Sequence, residues 1–381
     1  MRGKIINGLA IASLFLAFFI GQSKSPDANI YKSLEFTKTY KIDKFQINGQ
    51  QIKAFRDNDF VGTIAVGEAQ GYGGPLKVYV LSDTAAQILS VDIGENTETL
   101  AYIDRLKRKS FFKQFENKAI NSKFLVDNDV EAVSGATLSS VAIANACREA
   151  SWQVAKNNFS LPLPDLGQQW IFGLREIFAT LVFILAFLSV FLKNKKLRNV
   201  ALAITLVTTG FMFNSSISIT QFGRIFLGYI PNIQQHFEWW LLLFGTIAVI
   251  FIYGRNIYCH AICPFNTVQI LLTKLSGINL SMPRRLNKYL LKTSKVLLWL
   301  CLGLILISKN PTISSYEPFA MMFSLEGAGI QWYILPAALF GSLLFSNFFC
   351  RYYCPVGAGF NLLVKYRNRS VKSIRKKNEK K

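Results

Sequence analysis

The sequence predicts an α+β domain outside the cytoplasm, joined to a polytopic α-helical membrane domain with about six transmembrane helices in total. Long apolar runs recur along a chain that is 51% hydrophobic. Residues 22–170, between the first two runs, balance 17 basic against 17 acidic side chains, as a soluble domain would. The net charge of +21 therefore lies among the apolar runs. This pattern is typical of a multispanning membrane protein and excludes a nucleic-acid-binding face.

Six apolar stretches are predicted to cross the membrane, because about 20 helical residues span about 30 Å of hydrocarbon. The first follows Arg2 and Lys4, and we interpret it as a retained anchor, although a signal peptide has the same pattern. The fifth is short and needs residues 289–295, whose lysines reach the interface, to complete it. The six stretches are residues 5–21, 174–192, 200–221, 239–258, 296–308 and 332–349.

The distribution of Lys and Arg predicts the orientation. With the N-terminus inside, the inner segments carry 23 basic residues, whereas the two short outer loops carry only Arg224 and Lys309. The chain then divides into an anchor (1–21), an extracytoplasmic domain (22–170), a five-helix membrane domain (171–364) and a basic cytoplasmic tail (365–381). We therefore expect a multi-pass protein of the cytoplasmic membrane that contacts the lipid bilayer.

The outer domain has the sequence pattern of short strands followed by a helix. Residues 60–66, 76–81 and 86–93 are rich in β-branched side chains, and Gly71-Tyr72-Gly73-Gly74-Pro75 predicts a tight turn between two of them. A helix is predicted over residues 138–156. At its start Gly135 lets the backbone approach a ligand, and nearby hydroxyls stand where a helix N-terminus favours phosphate. Taken alone, Ser-Gly-Ala-Thr fits an ordinary N-cap turn equally well.

Residues 129–140, DVEAVSGATLSS, closely resemble the flavinylation motif of the FMN-binding domain family. That family includes peripheral subunits of sodium-pumping NADH:quinone oxidoreductase and of the Rnf complex. The resemblance implies that a flavin transferase attaches FMN covalently to Thr137 through a phosphoester. Glu131 stands where the family prefers Asp, and it keeps the charge. The other cofactor-binding residues implied are Ser134, Gly135, Ala136, Glu98 and Thr99.

Four of the six cysteines form a repeated motif. Cys259-His260-Ala261-Ile262-Cys263-Pro264 recurs 91 residues later as Cys350-Arg351-Tyr352-Tyr353-Cys354-Pro355, and each copy follows an apolar stretch. The four thiols are candidate ligands of a metal or an iron–sulfur cluster, yet a redox-active dithiol fits the spacing equally well. His260 is either a ligand or an exposed interfacial side chain. The remaining two, Cys147 and Cys301, are interpreted as small buried hydrophobes.

An outer FMN domain followed by five spans with two C-x3-C-P motifs resembles the NosR/NirI family. Because no ferredoxin domain follows, the chain is most similar to the short relatives, the C subunits of reductive-dehalogenase operons. The resemblance implies electron delivery to an extracytoplasmic reductase or to its maturation. It also implies an iron–sulfur cluster on Cys259, Cys263, Cys350 and Cys354.

These features predict a membrane flavoprotein that passes electrons from a quinol or a cytoplasmic ferredoxin-type donor to an extracytoplasmic acceptor. We expect an electron-transfer component of an oxidoreductase system, with no catalytic side chains assigned and no nucleic-acid partner. Two alternatives stay open, a thiol–disulfide relay without iron and a redox-sensing regulator or maturation factor. His236 and His260 are predicted at opposite faces, which excludes a bis-His haem. His236 and Glu238 either bind a quinone head group or form the polar end of a span.

Overall fold

The computed structural model describes residues 2–22, 30–48, 51–166, 173–234, 236–325, 327 and 329–378. The chain forms two compact units, one of residues Ser23–Gln169 and one that joins Met1–Gln22 to Trp170–Lys381. The long N-terminal helix α1, Arg2–Gln22, therefore packs with the C-terminal helices, although 147 residues of the other unit separate them in sequence.

The smaller unit contains an antiparallel sheet whose five strands follow the chain order. The three predicted strands correspond to β3, β4 and β5, while β1 and β2 were not predicted. The strands are β1 Lys44–Asn48, β2 Gln51–Arg56, β3 Asp59–Gln70, β4 Pro75–Ser82 and β5 Ile88–Asn96. The helices are α2 Glu35–Thr39, α3 Leu100–Arg108 and α4 Thr137–Phe159, with 3-10 turns at Ile30–Ser33 and Phe111–Phe115.

Helix α4 packs across the sheet and carries the predicted flavin motif at its first turn. Ala142, Ala146 and Ala150, spaced four residues apart, are buried against β3 and β4. Their small side chains let the helix axis approach the sheet closely, which fixes the position of its N-terminus. The helix begins one residue before the predicted start and ends three residues later than predicted.

The larger unit is helical. After α1 it contains α5 Leu174–Phe191, α6 Lys195–Thr205, α7 Ile219–Leu227, α8 Phe237–Trp239, α9 Thr246–Tyr253, α10 Pro264–Ser276, α11 Arg284–Ser308, α12 Phe319–Ser324, α13 Gln331–Leu344, α14 Phe348–Tyr352 and α15 Pro355–Asn378. Three π-helical segments, Leu206–Met212, Trp240–Gly245 and Tyr258–Ile262, continue α6, connect α8 to α9 and precede α10.

Two helices, α5 and α11, are long and apolar enough to cross a membrane, and three shorter helices are also apolar, at Gly8–Gln22, Phe237–Tyr253 and Gln331–Leu344. These lengths do not establish six spans, so the six-helix architecture stays a prediction.

Three of the predicted spans end early. The prediction of one helix over residues 200–221 is wrong beyond Met212, because irregular backbone, with Asn214 at a φ of 46°, follows until α7 begins at Ile219. The fourth span ends at Tyr253, where Gly254 adopts a φ of 72° that a helix cannot continue. The sixth ends at Leu344, after which Phe345 is extended. Each break redirects the chain toward the interior of the unit.

Candidate functional site

The predicted glycine turn and Glu98 form one end of the candidate flavin site. The turn joins β3 to β4, and Gly71 N donates to Gly74 O at 2.7 Å. Glu98 precedes α3 and is buried, and its carboxylate accepts hydrogen bonds from Gly73 N at 3.1 Å and from Ser139 Oγ at 2.7 Å. A Cβ on Gly71 would lie 1.9 Å from Glu98 Oε1, so no larger residue fits there. Glu98 therefore connects the glycine turn to the first turn of α4.

The Ser134–Thr137 segment forms the other end. Gly135 has a φ of 80°, which a residue with a side chain adopts only with strain, and Ala136 N bonds back to Val133 O at 2.9 Å. Ser134 is exposed, Ala136 is buried, and Thr137 is half-buried as the first residue of α4. Sequence reasoning placed these residues at a helix start, and the structure brings them together with Glu98.

The three hydroxyls at the start of α4 differ in their partners. Ser139 donates to Glu98, and Ser140 donates to Ala136 O at 3.0 Å while accepting from Val133 N at 3.1 Å. In the part of the chain that the structure describes, the Thr137 hydroxyl makes no hydrogen bond to another residue. It is therefore the hydroxyl of the three that is available for an ester bond.

A cation that the sequence analysis did not predict lies beside this turn. A Cβ on Gly135 would stand 2.9 Å from Arg105 Nη1, so the guanidinium lies directly against the turn. Arg105 lies on α3, the helix that Glu98 and Thr99 precede. Tyr102 of the same helix makes an edge-to-face contact with Tyr72 of the glycine turn, with ring centroids 5.3 Å apart. Because Glu98 lies before the start of α3, no helical spacing links it to Arg105, and no local signal in the sequence pointed to this cation.

The donor set fits a phosphate group. A 23-residue helix presents unpaired N–H groups and its positive dipole end at Thr137, and Arg105 adds a full charge nearby. Thr99 is the N-terminal flanking residue of α3 and makes no side-chain capping bond. Glu131 is exposed, so the longer carboxylate at this motif position alters no packing.

Cys147 behaves as the sequence predicts. It is fully buried on α4, with Ser151 Oγ 3.9 Å from its sulfur, and burial raises the pKa of its thiol to about 12. A thiol that stays protonated at neutral pH is a poor nucleophile and metal ligand, which supports a packing role.

The second cysteine of each motif stands at the start of a helix. Cys263 immediately precedes Pro264, the first residue of α10, and Cys354 immediately precedes Pro355, the first residue of α15. Backbone N–H groups turn toward both sulfurs, from Gly357 at 3.3 Å to Cys354, and from residues 265 and 266 to Cys263. A helix N-terminus stabilises a negative charge, so each site suits a metal-bound thiolate.

Reciprocal packing of the two repeats brings the four thiols together. Helix α10, which follows the first motif, packs against α13, which precedes the second, and α15 packs against α9. The two motif copies therefore lie near each other, and all four cysteines belong to, or pack against, the same buried cluster. All six cysteines are free.

Among the described residues, no group of three or more His, Cys, Asp or Glu side chains is close enough to hold one metal ion. Two of the four motif cysteines, Cys263 and Cys354, lie at helix N-termini, which would stabilise thiolate charge. This arrangement is compatible with a cluster and with a redox-active dithiol.

Two loops close over the cysteine centre. Ile217 N donates to Tyr258 Oη at 2.7 Å, next to Cys259, and Tyr316 Oη donates to Tyr353 O, next to Cys354. The loops also bind each other, because Ile219 N donates to a carboxylate oxygen of the buried Glu317 at 2.7 Å. The two loops and the starts of α10 and α15 therefore border the centre, in which Cys263 and Cys354 are buried and Cys259 and Cys350 are partly exposed.

The sequence prediction placed the cysteines at the inner ends of the spans, and this placement relative to a membrane stays a prediction. In the structure the two motifs follow α9 and α13. Along α15, twelve residues separate Pro355 from Arg367, whose guanidinium donates to the carbonyls of Phe251 and Ile252 at the end of α9. At 1.5 Å per residue this separation is about 18 Å. The start of α15 therefore lies well away from the end of α9, and Cys263 and Cys354 are buried in the helical unit.

Gln269 of α10 links the two repeats at this centre. Its side chain is fully buried, its Nε2 donates to the Cys350 sulfur, and its Oε1 accepts from Phe349 N at 2.9 Å and from Ser342 Oγ at 3.1 Å. The equivalent position in the second repeat is Phe360, which packs on Tyr258 instead. The centre is therefore asymmetric.

The alternatives for the two histidines and for Glu238 are partly resolved by their contacts. His260 is exposed, as one alternative expected, and partial burial of its ring together with the charge of Arg198 lowers its pKa. Glu238 is buried and forms an ion pair with Arg175 at 2.9 Å, and it also accepts a hydrogen bond from Ser215. These bonds occupy the carboxylate that a quinone head group would use. His236, two residues before Glu238, is also buried.

Comparison with known proteins identifies two domains. The FMN-binding domain family matches residues 71–151, which include Glu98 and Thr137, and the 4Fe-4S binding domain family matches residues 235–283 and 332–376, which include all four motif cysteines. No solved structure matches the chain significantly.

Three relatives share parts of the sequence. Protein NirI of Paracoccus denitrificans is 25% identical over 43% of this chain and 26% of its own length. Regulatory protein NosR of Stutzerimonas stutzeri is 28% identical over 45% of this chain and 26% of its own length. The methylamine utilization ferredoxin-type protein MauN of Methylobacillus flagellatus is 32% identical over 32% of this chain and 45% of its own length. The chain thus matches about a quarter of the length of NirI and NosR.

Proposed function

We propose, on the premise that the chain is NosR/NirI-like, that it is a membrane flavoprotein which transfers electrons between a quinol or cytoplasmic donor and an acceptor outside the cytoplasm. The FMN-binding and 4Fe-4S binding domains support an electron-transfer flavoprotein. FMN supplies one- and two-electron chemistry when bound, and an iron–sulfur cluster supplies one-electron steps. The observation that carries the proposal is the presence in one chain of both an available hydroxyl at the flavin motif and a four-thiol centre. The narrower likeness to reductive-dehalogenase C subunits stays a prediction.

Thr137 is the proposed attachment residue for FMN. Its hydroxyl has no partner among the described residues, whereas those of Ser139 and Ser140 are engaged. The start of α4 and Arg105 would stabilise the phosphate of the ester, and Glu98 would hold the glycine turn in place. Covalent attachment would prevent loss of the cofactor outside the cytoplasm. The reaction requires a flavin transferase as a partner.

Intact-mass analysis of the full chain, produced together with a flavin transferase, tests this assignment. We expect the wild type to carry the mass of one FMN after denaturation, and Thr137→Val, which keeps the shape and removes the hydroxyl, to carry none. Thr137→Ser keeps a hydroxyl at the same place and should be modified. Covalent FMN on Thr137→Val, or its absence from the wild type, would refute the assignment.

Cys259, Cys263, Cys350 and Cys354 are the proposed ligands of an iron–sulfur cluster. The helix starts at Cys263 and Cys354 would stabilise thiolate charge, and the two loops over the centre would exclude water. Iron and acid-labile sulfide, measured with electron paramagnetic resonance after anaerobic purification, separate a cluster from a dithiol relay. We expect stoichiometric iron in the wild type and none in a Cys259→Ala/Cys350→Ala double variant. Cys301→Ala, which removes a buried cysteine outside the motifs, is the matched control and should keep its iron.

Contacts of the cysteine centre with two loops bear on the electron path. In the proposed topology these loops, residues 213–218 and 309–318, are connections on the outer side of the membrane. Their contacts with Tyr258 and Tyr353 support a centre that would lie closer to that side than the ends of α9 and α13. Electrons would then cross less than the full hydrocarbon thickness of about 30 Å on the way to an extracytoplasmic reductase.

The proposed sidedness has its own test. Thr84 of the smaller unit and Lys288 of α11 are both exposed. We expect a membrane-impermeant maleimide to label Thr84→Cys in intact spheroplasts or protoplasts, and to label Lys288→Cys only after they are lysed. Labelling of both in intact cells would contradict the topology.

A further inference from the structure

A cavity of about 520 Å³ opens beside the first cysteine motif, between the end of α5 and the start of α6. Its volume is in the range of small-molecule sites. Four cationic side chains and the motif histidine contribute to its lining, namely Lys193, Lys195, Arg198, Arg255 and His260.

The positive charge of this cavity is not compensated. Within the described ranges, none of its four cationic side chains forms an ion pair with a carboxylate. The sequence gives the reason, because no acidic residue occurs between Glu176 and Glu238 or between Glu238 and Glu317. Four like charges around one cavity attract a counter-ion with several negative charges.

Arg255 is positioned before any ligand binds, and Arg198 has a donor without an acceptor. Arg255 donates to Val190 O at 2.8 Å, and its guanidinium lies over the Phe191 ring, 5.4 Å from the centroid. The Nε atom of Arg198 is shielded from solvent and has no hydrogen-bond partner among the described residues. A buried donor without an acceptor is costly, and phosphate oxygens are strong acceptors that match the guanidinium fork.

The cavity wall also contacts the cysteine motif. Asn256, another lining residue, accepts a hydrogen bond from Cys259 N at 3.1 Å through its Oδ1. We propose that the cavity binds a phosphate-bearing anion with at least two negative charges, and that binding orders the segment 255–260 which leads into the first cysteine motif. The phosphate could come from an anionic phospholipid headgroup or from a soluble phosphate compound. The flavin assignment has no part in this proposal.

Hydrogen exchange of the full chain in phosphatidylcholine nanodiscs tests the proposal, with the peptides covering residues 193–198 and 255–260 as readout. One arm adds cardiolipin to the nanodisc, and the other adds soluble pyrophosphate. We expect saturating ligand in at least one arm to slow exchange in both peptides about tenfold or more. Protection by cardiolipin alone identifies a lipid headgroup, and protection by pyrophosphate identifies a soluble phosphate compound.

Charge-matched variants separate a defined site from diffuse attraction. Arg198→Gln should raise the half-saturating ligand concentration roughly 10- to 100-fold, and Arg198→Lys should raise it less, because it keeps the charge and loses the fork. Lys196→Gln removes the same charge from an exposed position on the same helix, outside the cavity lining, and should bind as the wild type does. Exchange without ligand checks that each variant is folded. The proposal is overturned if neither arm protects, or if Lys196→Gln weakens binding as much as Arg198→Gln.

Discussion

Glu98 is the residue whose removal should open the flavin site. Its buried carboxylate accepts two hydrogen bonds, from Gly73 N and from Ser139 Oγ. A hydrogen bond to a charged group contributes about 1.5–3 kcal/mol, so Glu98→Ala should lower the free energy of opening this site by about 3–6 kcal/mol. Since about 1.4 kcal/mol changes an equilibrium constant tenfold, the rate of amide exchange through this opening should rise by a factor of about 10² to 10⁴.

Hydrogen exchange of the full chain measures this opening through peptides that cover the glycine turn and the first turn of α4. Glu98→Gln keeps one acceptor oxygen, so it should lower the free energy of opening by about half as much as Glu98→Ala does. Glu95→Ala is the matched control, because Glu95 pairs with Lys77 at 2.7 Å and both side chains are about one-third exposed. Such a pair contributes about 0–1 kcal/mol. If Glu98→Ala exchanged no faster than Glu95→Ala, Glu98 would not hold the two segments together.

Three further predictions concern other positions. Gly135→Ala should destabilise the smaller unit by about 1–3 kcal/mol, because its φ of 80° is unfavourable for alanine, and an unchanged thermal midpoint would contradict this. Gln269→Leu removes the hydrogen-bond donor to Cys350, so it should lower the iron content and alter the paramagnetic spectrum. Phe360→Leu, at the equivalent position of the second repeat, should leave the spectrum unchanged. Equal effects of the two substitutions would argue against a role of Gln269 at the cluster. Cys147 should resist alkylation at pH 8 until the chain unfolds. Its folded pKa of about 12 exceeds the ordinary value near 9, so the stability from burying this thiol is present below pH 9 and declines as the pH rises above it. Rapid labelling of the folded chain would refute its burial.

The local patterns of the sequence were sufficient for much of the fold and for the identity of the candidate residues. Alternation and turn residues predicted β3, β4 and β5, and the small residues after Ser134 predicted the start of α4 within one residue. These features depend on neighbours in the chain, so their signals are local. The sequence pattern of β1 and β2 was too weak to be recognised; in the structure β2 pairs with β3, and β1 in turn pairs with β2.

The repeat identified four cysteines, yet it could not give their burial. Cys263 and Cys354 are buried and Cys259 and Cys350 are partly exposed, which depends on where Gly254 and Phe345 interrupt the helices and on what the ends then contact. The residue types at the start of α4 likewise offered three hydroxyls, and only the resemblance to the flavinylation motif singled out Thr137.

The charge excess, the two motifs and the residue types that could bind flavin or iron were thus determined by the sequence itself. Only the tertiary structure decided that Thr137 keeps an available hydroxyl, that Arg105 lies against its turn, and that Gln269 binds the other repeat's cysteine. Each of these facts is a contact between segments distant in sequence. Such contacts follow from how helices and sheet pack, and no local pattern contains that information.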